Sequence, residues 1–328
     1  MNERVPAATC GIGVVVVNWN GQADTLRCLH SLAAAAPGPA RVVVVDNASS
    51  DGSREAIERW RAARDRPPPV ALLSLPANRG YAGACNVGVA HLVADPSITH
   101  VLLLNNDATV DPEFFAHVSR ALGAAPDAAL LGPTIYAAGR PGEVWYAGGH
   151  FVEARALVVH GHAVPQDPRP LPTAFVTGCA LLLSRHAWDI LGPLPECYFM
   201  YLEDAEYSYR ARAAGLAVVY APRAVAYHGV GATVQRTLPG PWVEYLKTRN
   251  RAWFARRNFQ GWERWVALAY FAISKPVRGL VELVRGRPAL AWAIVRGAAE
   301  GLLSKQGQRQ VGESAAVKNP LDGVLVHE

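Results

Sequence analysis

The sequence predicts an α/β fold, a mostly parallel central sheet flanked by helices, with a C-terminal helical arm. Three observations predict it. Apolar runs of strand length alternate with segments of helical period from residue 13 to residue 107, the rhythm of a doubly wound parallel sheet. Polar clusters close the first, second and fourth of those runs, and the third leads into a Gly/Asn-rich turn. Beyond residue 240 the chain becomes basic, aromatic and helical in pattern.

Gly13–Val17 is the first strand, ending at Asn18-Trp19-Asn20-Gly21. Asp24–Ala36 follows with Leu26, Leu29 and Leu32 at helical spacing. Arg41–Val45 is the second strand, stopped by Asp46-Asn47-Ala48-Ser49-Ser50-Asp51, and Ser53–Arg64 is a helix ended by prolines 67–69. Val70–Leu75 is the third strand, and a helix is expected from about Gly83 to Val93. Val101–Leu104 is the fourth. Its four apolar residues read as buried on both faces, so Asp107 must lie just past the strand's end, because an unpaired carboxylate within it would be neutralised. Ligands bind at that edge of open α/β sheets. A hard oxygen ligand there suits Mg²⁺ or Mn²⁺, whereas a plain turn before Pro112 would also account for it.

Residues 128–200 carry short β-like runs at Ala129–Leu131, Glu143–Tyr146, Ala156–His160, Ala174–Thr177 and Ala180–Leu183, read as mixed or antiparallel strands extending the sheet. Tyr207–Ala214 is a helix closed by Gly215. Ala217–Tyr220 is a strand, and Ala224–Gly231 a short strand and glycine turn. His160 and His162 flank a glycine and read as surface residues.

The totals exclude several classes. The 328 residues suffice for one large domain or two ordinary ones. Five scattered cysteines without a C-x-x-C pair argue against a zinc ribbon or a disulfide scaffold and fit a reducing compartment. No G-x-G-x-x-G or G-x-x-x-x-G-K-[ST] follows the first strand, which disfavours a dinucleotide dehydrogenase and a P-loop hydrolase. The amino terminus lacks a signal-peptide core, and the stretch Trp265–Ser274 is too short to span a bilayer. Localisation is expected to be cytoplasmic, with peripheral contact on the inner face of the cell membrane.

Net charge is +5, unevenly placed: residues 245–309 hold 13 Lys/Arg against 3 Asp/Glu, whereas residues 1–244 hold 18 against 21. Helical segments at about 241–258, 262–286 and 289–304 interleave this charge with tryptophans, tyrosines and phenylalanines. Basic amphipathic helices of that kind lie in membrane interfaces. The soluble alternative packs the aromatics on the rest of the protein. Nucleic acid would explain the charge but not the apolar faces.

Taken in order, Asn18-Trp19-Asn20-Gly21, Val42–Ser53, Asn78–Gly88, Leu102–Pro112, Thr177–Arg185, Tyr201–Gly215 and Tyr227–Thr233 resemble the motifs of family-2 inverting glycosyltransferases. The resemblance covers roughly residues 11–260 and is closest to the bacterial rhamnosyltransferase-like branch. It implies the GT-A (Rossmann-like) fold, with a catalytic domain at 11–240 split into a nucleotide-sugar half, about 11–127, and an acceptor half, about 128–240. A basic aromatic arm, 241–306, and a flexible tail, 307–328, would follow.

By the same resemblance Asp46 accepts a hydrogen bond from the nucleobase, although an Asx-turn cap would also suit it. Asn18, Asn78, Arg79, Gly80 and Asn86 would contact the donor, and Asn106 the ribose or sugar. Asp107 and His228 would hold the Mg²⁺ or Mn²⁺ that neutralises the leaving diphosphate. Asp204 would be the base that takes the acceptor hydroxyl's proton, supported by Glu203; Arg210 reads as structural. One departure stands out: the family's Asp-x-Asp metal triplet is Asn105-Asn106-Asp107 here. The activity implied is transfer of a hexose, rhamnose by the branch resemblance, from a UDP- or dTDP-linked donor to a hydroxyl of a cell-surface glycan or lipid-linked precursor. Two rival readings stay open. A processive polysaccharide synthase would carry a Gln-x-x-Arg-Trp motif, which Gln260–Trp265 exceeds by one residue. A non-catalytic nucleotide-sugar-binding scaffold would explain the missing acids.

Overall fold

The computed structural model describes residues 11–63, 68–229, 238–304 and the backbone of 325–327. The amino-terminal half alternates as its pattern requires: β1 Ile12–Asn18, α1 Gln22–Ala34, β2 Arg41–Asp46, α2 Ser53–Ala62, β3 Val70–Ser74, α3 Gly80–Val93, β4 His100–Asn105 and β5 Ala108–Val110. Then come α4 Phe114–Ala124, β6 Ala128–Ala137, β7 Val144–Tyr146, β8 Gly149–Val152, β9 Leu157–His160, β10 Leu171–Pro172, β11 Ala180–Ser184, α5 Arg185–Leu191, α6 Glu203–Ala213 and β12 Ala217–His228. The arm is α7 Gly240–Asn258, α8 Gly261–Val284 and α9 Pro288–Leu303. Leu325–His327, β13, pairs antiparallel with β3; this segment falls within the stretch expected to be a flexible tail, whose other residues lie outside those described.

The main sheet runs β10-β12-β6-β11-β4-β1-β2-β3-β13. Strands β1 to β4 are parallel, and β11 enters antiparallel between β4 and β6. The segments 11–127 and 128–240, expected as two halves, therefore share one sheet. The apolar runs are unbroken because both faces are covered. Val14, Val16, Val42 and Val44 face a core with Cys28, Leu29 and Leu32 of α1. Val15, Val43 and Val45 face a second core with Val87, Val89 and Leu92 of α3. At Gly88 a side chain would collide with Val15, so this glycine sets how closely α3 lies on the sheet.

Three expectations need correction. Ala174–Thr177 is not a strand: the Ser208 hydroxyl of α6 serves the Val176 N–H, and the Phe175 carbonyl accepts from Tyr146, so the backbone is satisfied without a ladder. Helix α6 starts at Glu203 rather than Tyr207, which puts both candidate acids in its first turn. His160 is half-buried rather than on the surface. Its ring stacks on Phe175 and meets Trp145 edge-on, and burial lowers its pKa.

The arm's aromatics divide. Trp253, Phe254, Phe259 and Phe271 are buried, and Phe254 stacks on Phe151 and meets Tyr209 edge-on. Trp242, Trp262, Trp265 and Trp292 stay exposed.

Candidate active site

Parallel pairing places the polar strand ends in one row, with Asn18 opposite Asp46 and Asp46 opposite Ser74. Asp46 is buried. Its Oδ1 accepts from Asn18 Nδ2 at 2.8 Å and its Oδ2 from the Ser49 N–H at 3.1 Å. Each oxygen keeps a second lone pair for a ligand N–H. Asn18 also donates to Ser49 Oγ and accepts from Thr25 Oγ1. Its amide is spent inside the protein, so Asn18 positions Asp46 rather than contacting a donor as expected. Asp51 serves α2, accepting from the Ser53 N–H.

The turn after β3 is tied down by Asn47, which sequence reasoning passed over. Its buried amide donates to Asn78 Oδ1 and the Gly80 carbonyl and accepts from the Arg79 N–H. Arg79 pairs with Glu196 at 3.3 Å. Asn86 departs from its expected role: it is buried within α3, donating to the Leu194 carbonyl and Glu196 and accepting from the Leu194 N–H. It clamps the 194–196 loop instead of meeting a donor. Asn106 donates to Thr25 Oγ1.

Gly80 has φ +73°, and a Cβ there would collide with the Phe199 backbone carbonyl, which accepts from the Tyr81 N–H at 2.7 Å. Gly80→Ala is expected to lose about 2 kcal/mol or more of stability, from left-handed strain and displacement of residues 199–202. The midpoint of denaturant unfolding checks this.

Asp107 and His228 meet through strand pairing. β5 lies antiparallel to the end of β12 with Ala108 opposite His228, and the Gly229 N–H donates to the Asp107 carbonyl. His228 Nε2 is 3.2 Å from Asp107 Oδ1, with both side chains 7% exposed. The Trp145 ring closes over the imidazole at 4.5 Å between centroids, and His228 Nδ1 is buried without a hydrogen-bond partner. Burial opposes an imidazolium there, but Cys179 and Asp107 outweigh it and raise the His228 pKa. Burial also raises the Cys179 thiol, so the carboxylate is the neighbouring charge at neutral pH. The described residues hold no group of three or more His, Cys, Asp and Glu around a common point. A carboxylate and an imidazole together fit a cation completed by donor phosphates and water. The glycine turn after His228, residues 230–237, lies outside the described residues.

Asp204 and Glu203 begin α6. The Gly178 N–H donates to Asp204 Oδ2 at 2.7 Å and the Ala205 N–H to Oδ1 at 2.8 Å. The Gly178 carbonyl accepts from Tyr81 Oη at 2.6 Å, so one residue, Gly178, joins α3 to Asp204. Next along the chain is buried Cys179, whose backbone carbonyl accepts from the Asn105 N–H. Burial raises both acids, and Asp204 raises Glu203 further. The backbone N–H groups favour the charge on Asp204, whereas Glu203 Oε2 is buried without a partner. The shared proton therefore sits on Glu203, leaving Asp204 ionised. Arg210 donates to the Leu191 and Pro193 carbonyls, the structural role expected of it.

Two contributions from the arm were not legible. Phe199, Tyr201 and Leu202 adopt φ of +66°, +71° and +76°, a strained approach to the acids. Buried Asn250 of α7 holds it, donating to the Tyr198, Met200 and Tyr201 carbonyls at 2.8–3.1 Å. Glu206 of α6 is buried against Arg257 of α7 in a two-pronged pair, each contact 2.9 Å. A polar residue at position 250 inside an aromatic helix was the available signal for the first; nothing in the spacing announced the second.

The chain is similar in sequence and fold to known glycosyltransferases. The sequence model for "Glycosyl transferase family 2" matches residues 13–191, more than half of the chain. The N-acetylglucosaminyl-diphospho-decaprenol L-rhamnosyltransferase of Mycobacterium tuberculosis is 29% identical over 235 residues, covering 66% of this chain and 75% of that protein. The low-salt glycan biosynthesis hexosyltransferase Agl10 of Haloferax volcanii is 25% identical over 245 residues, covering 73% and 74%. Among solved structures, the mannosyltransferase PcManGT of Pyrobaculum calidifontis, in complex with GDP-Man and Mn²⁺, superposes with a TM-score of 0.56 at 17% identity, covering 90% of this chain and 87% of that one. GalNAc-T7, with UDP, GalNAc and Mn²⁺, gives a TM-score of 0.62 at 16% identity, covering 89% and 57%. The fold is that of the GT-A glycosyltransferases, and the chain belongs to glycosyl transferase family 2.

Proposed function

We propose that this chain is an inverting hexosyltransferase. It moves a sugar, rhamnose in the reading its relatives favour, from a dTDP- or UDP-linked donor to a hydroxyl of a cell-surface glycan or its lipid-linked precursor. The observation that carries this is the buried Asp107–His228 pair at the carboxyl edge of the sheet, with Asp204 held by the Gly178 N–H where β11 begins. A lipid-linked acceptor places the reaction at the inner face of the cell membrane, with the protein peripheral to it.

In this reading Asp46 receives the nucleobase N–H, and the 78–80 turn lines the donor pocket. Asp107 and His228 would hold Mg²⁺ or Mn²⁺, which would supply positive charge to neutralise a diphosphate leaving group. Asp204 takes the proton of the attacking hydroxyl, and no enzyme nucleophile is needed for a single in-line displacement. Glu203, protonated beside it, adds no second negative charge. Gln260–Trp265 does not act as a synthase-type acceptor motif, because Trp262 and Trp265 face outward from the arm.

The test is calorimetric titration with UDP, dTDP and GDP, each with and without Mn²⁺. One nucleotide is expected to bind only with the cation, and Asp107→Ala to weaken that binding by at least ~100-fold, beyond what loss of an outer-sphere partner costs. Binding indifferent to metal would remove Asp107 and His228 as ligands. No binding to any of the three would favour a non-catalytic protein whose donor site has decayed.

A further inference from the structure

Helix α8 is inside out. The side chains it buries are Ala267, Phe271, Lys275, Gly279 and Glu282, three or four residues apart, a cation and an acid among them. The side chains it exposes run Trp262, Trp265, Ile273, Val277, Leu280 and Val284 at the same spacing, with Trp262 80%, Ile273 70% and Val284 81% exposed. A helix on the surface of a soluble domain shows the reverse arrangement. At 100° per residue every charged residue of α8 falls outside this stripe. A helix of 24 residues makes a stripe roughly 36 Å long, more continuous apolar surface than monomeric proteins commonly leave bare.

Charge says what covers it. Away from the stripe, on the other side of α8 and in the turn beyond it, the side chains of Arg278, Arg285 and Arg287 are 46%, 61% and 50% exposed, whereas their partners Glu244 and Glu282 are 20% and 7% exposed. The charge that α8 and its turn show to solvent opposite the stripe is therefore mainly positive, in the region of 13 basic and 3 acidic residues, the division of a basic amphipathic helix. No described helix is long and apolar enough to cross a membrane, so such a helix would lie along one.

We propose that α8 lies in the headgroup–acyl boundary of an anionic bilayer, its apolar stripe in the acyl region and the basic charge of its other side within the field of the lipid phosphates. The inference rests on the peripheral-membrane reading above and names the surface responsible. It also gives the arm a geometric reason. On the adjoining α9, Trp292 is 67% exposed, and its neighbour Ala293 belongs to a cluster packed on Phe199, Met200 and Tyr201. The docked surface thus adjoins the loop that leads to Asp204, where a lipid-linked hydroxyl must arrive.

The test is cosedimentation of the full chain with phosphatidylcholine vesicles, with and without phosphatidylglycerol. The doubly substituted Ile273→Glu, Leu280→Glu variant serves as comparison, and nucleotide titration as the control for folding and the donor site. The wild type is expected to sediment with anionic vesicles only, less so as salt rises, and the variant to bind at least about tenfold more weakly with nucleotide affinity unchanged. Failure to sediment, or equal sedimentation of variant and wild type, overturns the proposal without touching the transferase reading. A vesicle-free dimer that the double substitution dissociates would assign the stripe to a second copy instead.

Discussion

Asp204→Asn is expected to lower kcat by roughly 10²–10⁴-fold, the usual contribution of a positioned general base, with metal-dependent nucleotide affinity close to wild type. Asparagine keeps the shape but cannot take a proton. Its one carbonyl oxygen can still accept from either the Gly178 or the Ala205 N–H, the two groups that hold Asp204, but not from both. Glu203→Gln is the informative partner. It copies the protonated state that burial and Asp204 impose on Glu203, so turnover should survive. The pH profile gives a second readout. The base works ionised and its pKa is raised, so kcat should fall on the acid side at a pH above the ordinary aspartate range. If Asp204→Asn turned over normally while Glu203→Gln did not, the two roles would have to be exchanged.

The sequence made the architecture legible because β1 to β4 are buried on both faces and therefore unbroken in hydrophobicity, so each run ends where polar chemistry begins. Asp46 and Asp107 were found that way. Other site residues depend on contacts that local pattern does not encode. His228 reaches Asp107 only because β5, three residues long, pairs with the far end of β12. Asn18 and Asn86 carry the right chemistry at the right sheet edge, yet their amides are consumed by Ser49, Thr25 and the 194–196 loop. An amide that binds ligand and one that binds its own protein look alike in sequence. Asn47, Asn250 and Glu206 act through partners more than 30 residues away, and no period or motif specifies such pairings.

Glu206→Ala is expected to cost about 3–5 kcal/mol of stability, the range for stranding one member of a buried ion pair. The Glu206 side chain is fully buried and that of Arg257 is 8% exposed. Tyr198 and Asn258 also donate to the carboxylate. The alanine variant would leave the guanidinium desolvated and without its carboxylate. Substituting Arg257→Met as well removes the stranded charge, so the double variant should recover part of the loss. The pH dependence has a definite sign. Burial raises the Glu206 pKa, but Arg257 outweighs it and the net shift is downward. A lowered folded-state pKa stabilises the protein above the ordinary glutamate value, and this contribution is lost as pH falls through the folded pKa. Wild type and Glu206→Ala should therefore converge in acid. Activity should fall along with stability. Arg257 and Asn250 are seven residues apart on α7, two helical turns and hence one face, and Asp204 lies two residues before Glu206 on α6. Loosening the ion pair loosens the hold of Asn250 on residues 198–201, and with it the approach to the base. The kinetic signature is a lower kcat at temperatures where the variant is still folded, with nucleotide affinity unchanged, because the donor turns at Asp46 and Asn78 are braced from β1 and β2 rather than from the arm. If Glu206→Ala unfolds at the wild-type denaturant midpoint, the clamp between arm and catalytic helix has no energetic content, and the arm must be held by its aromatic contacts alone.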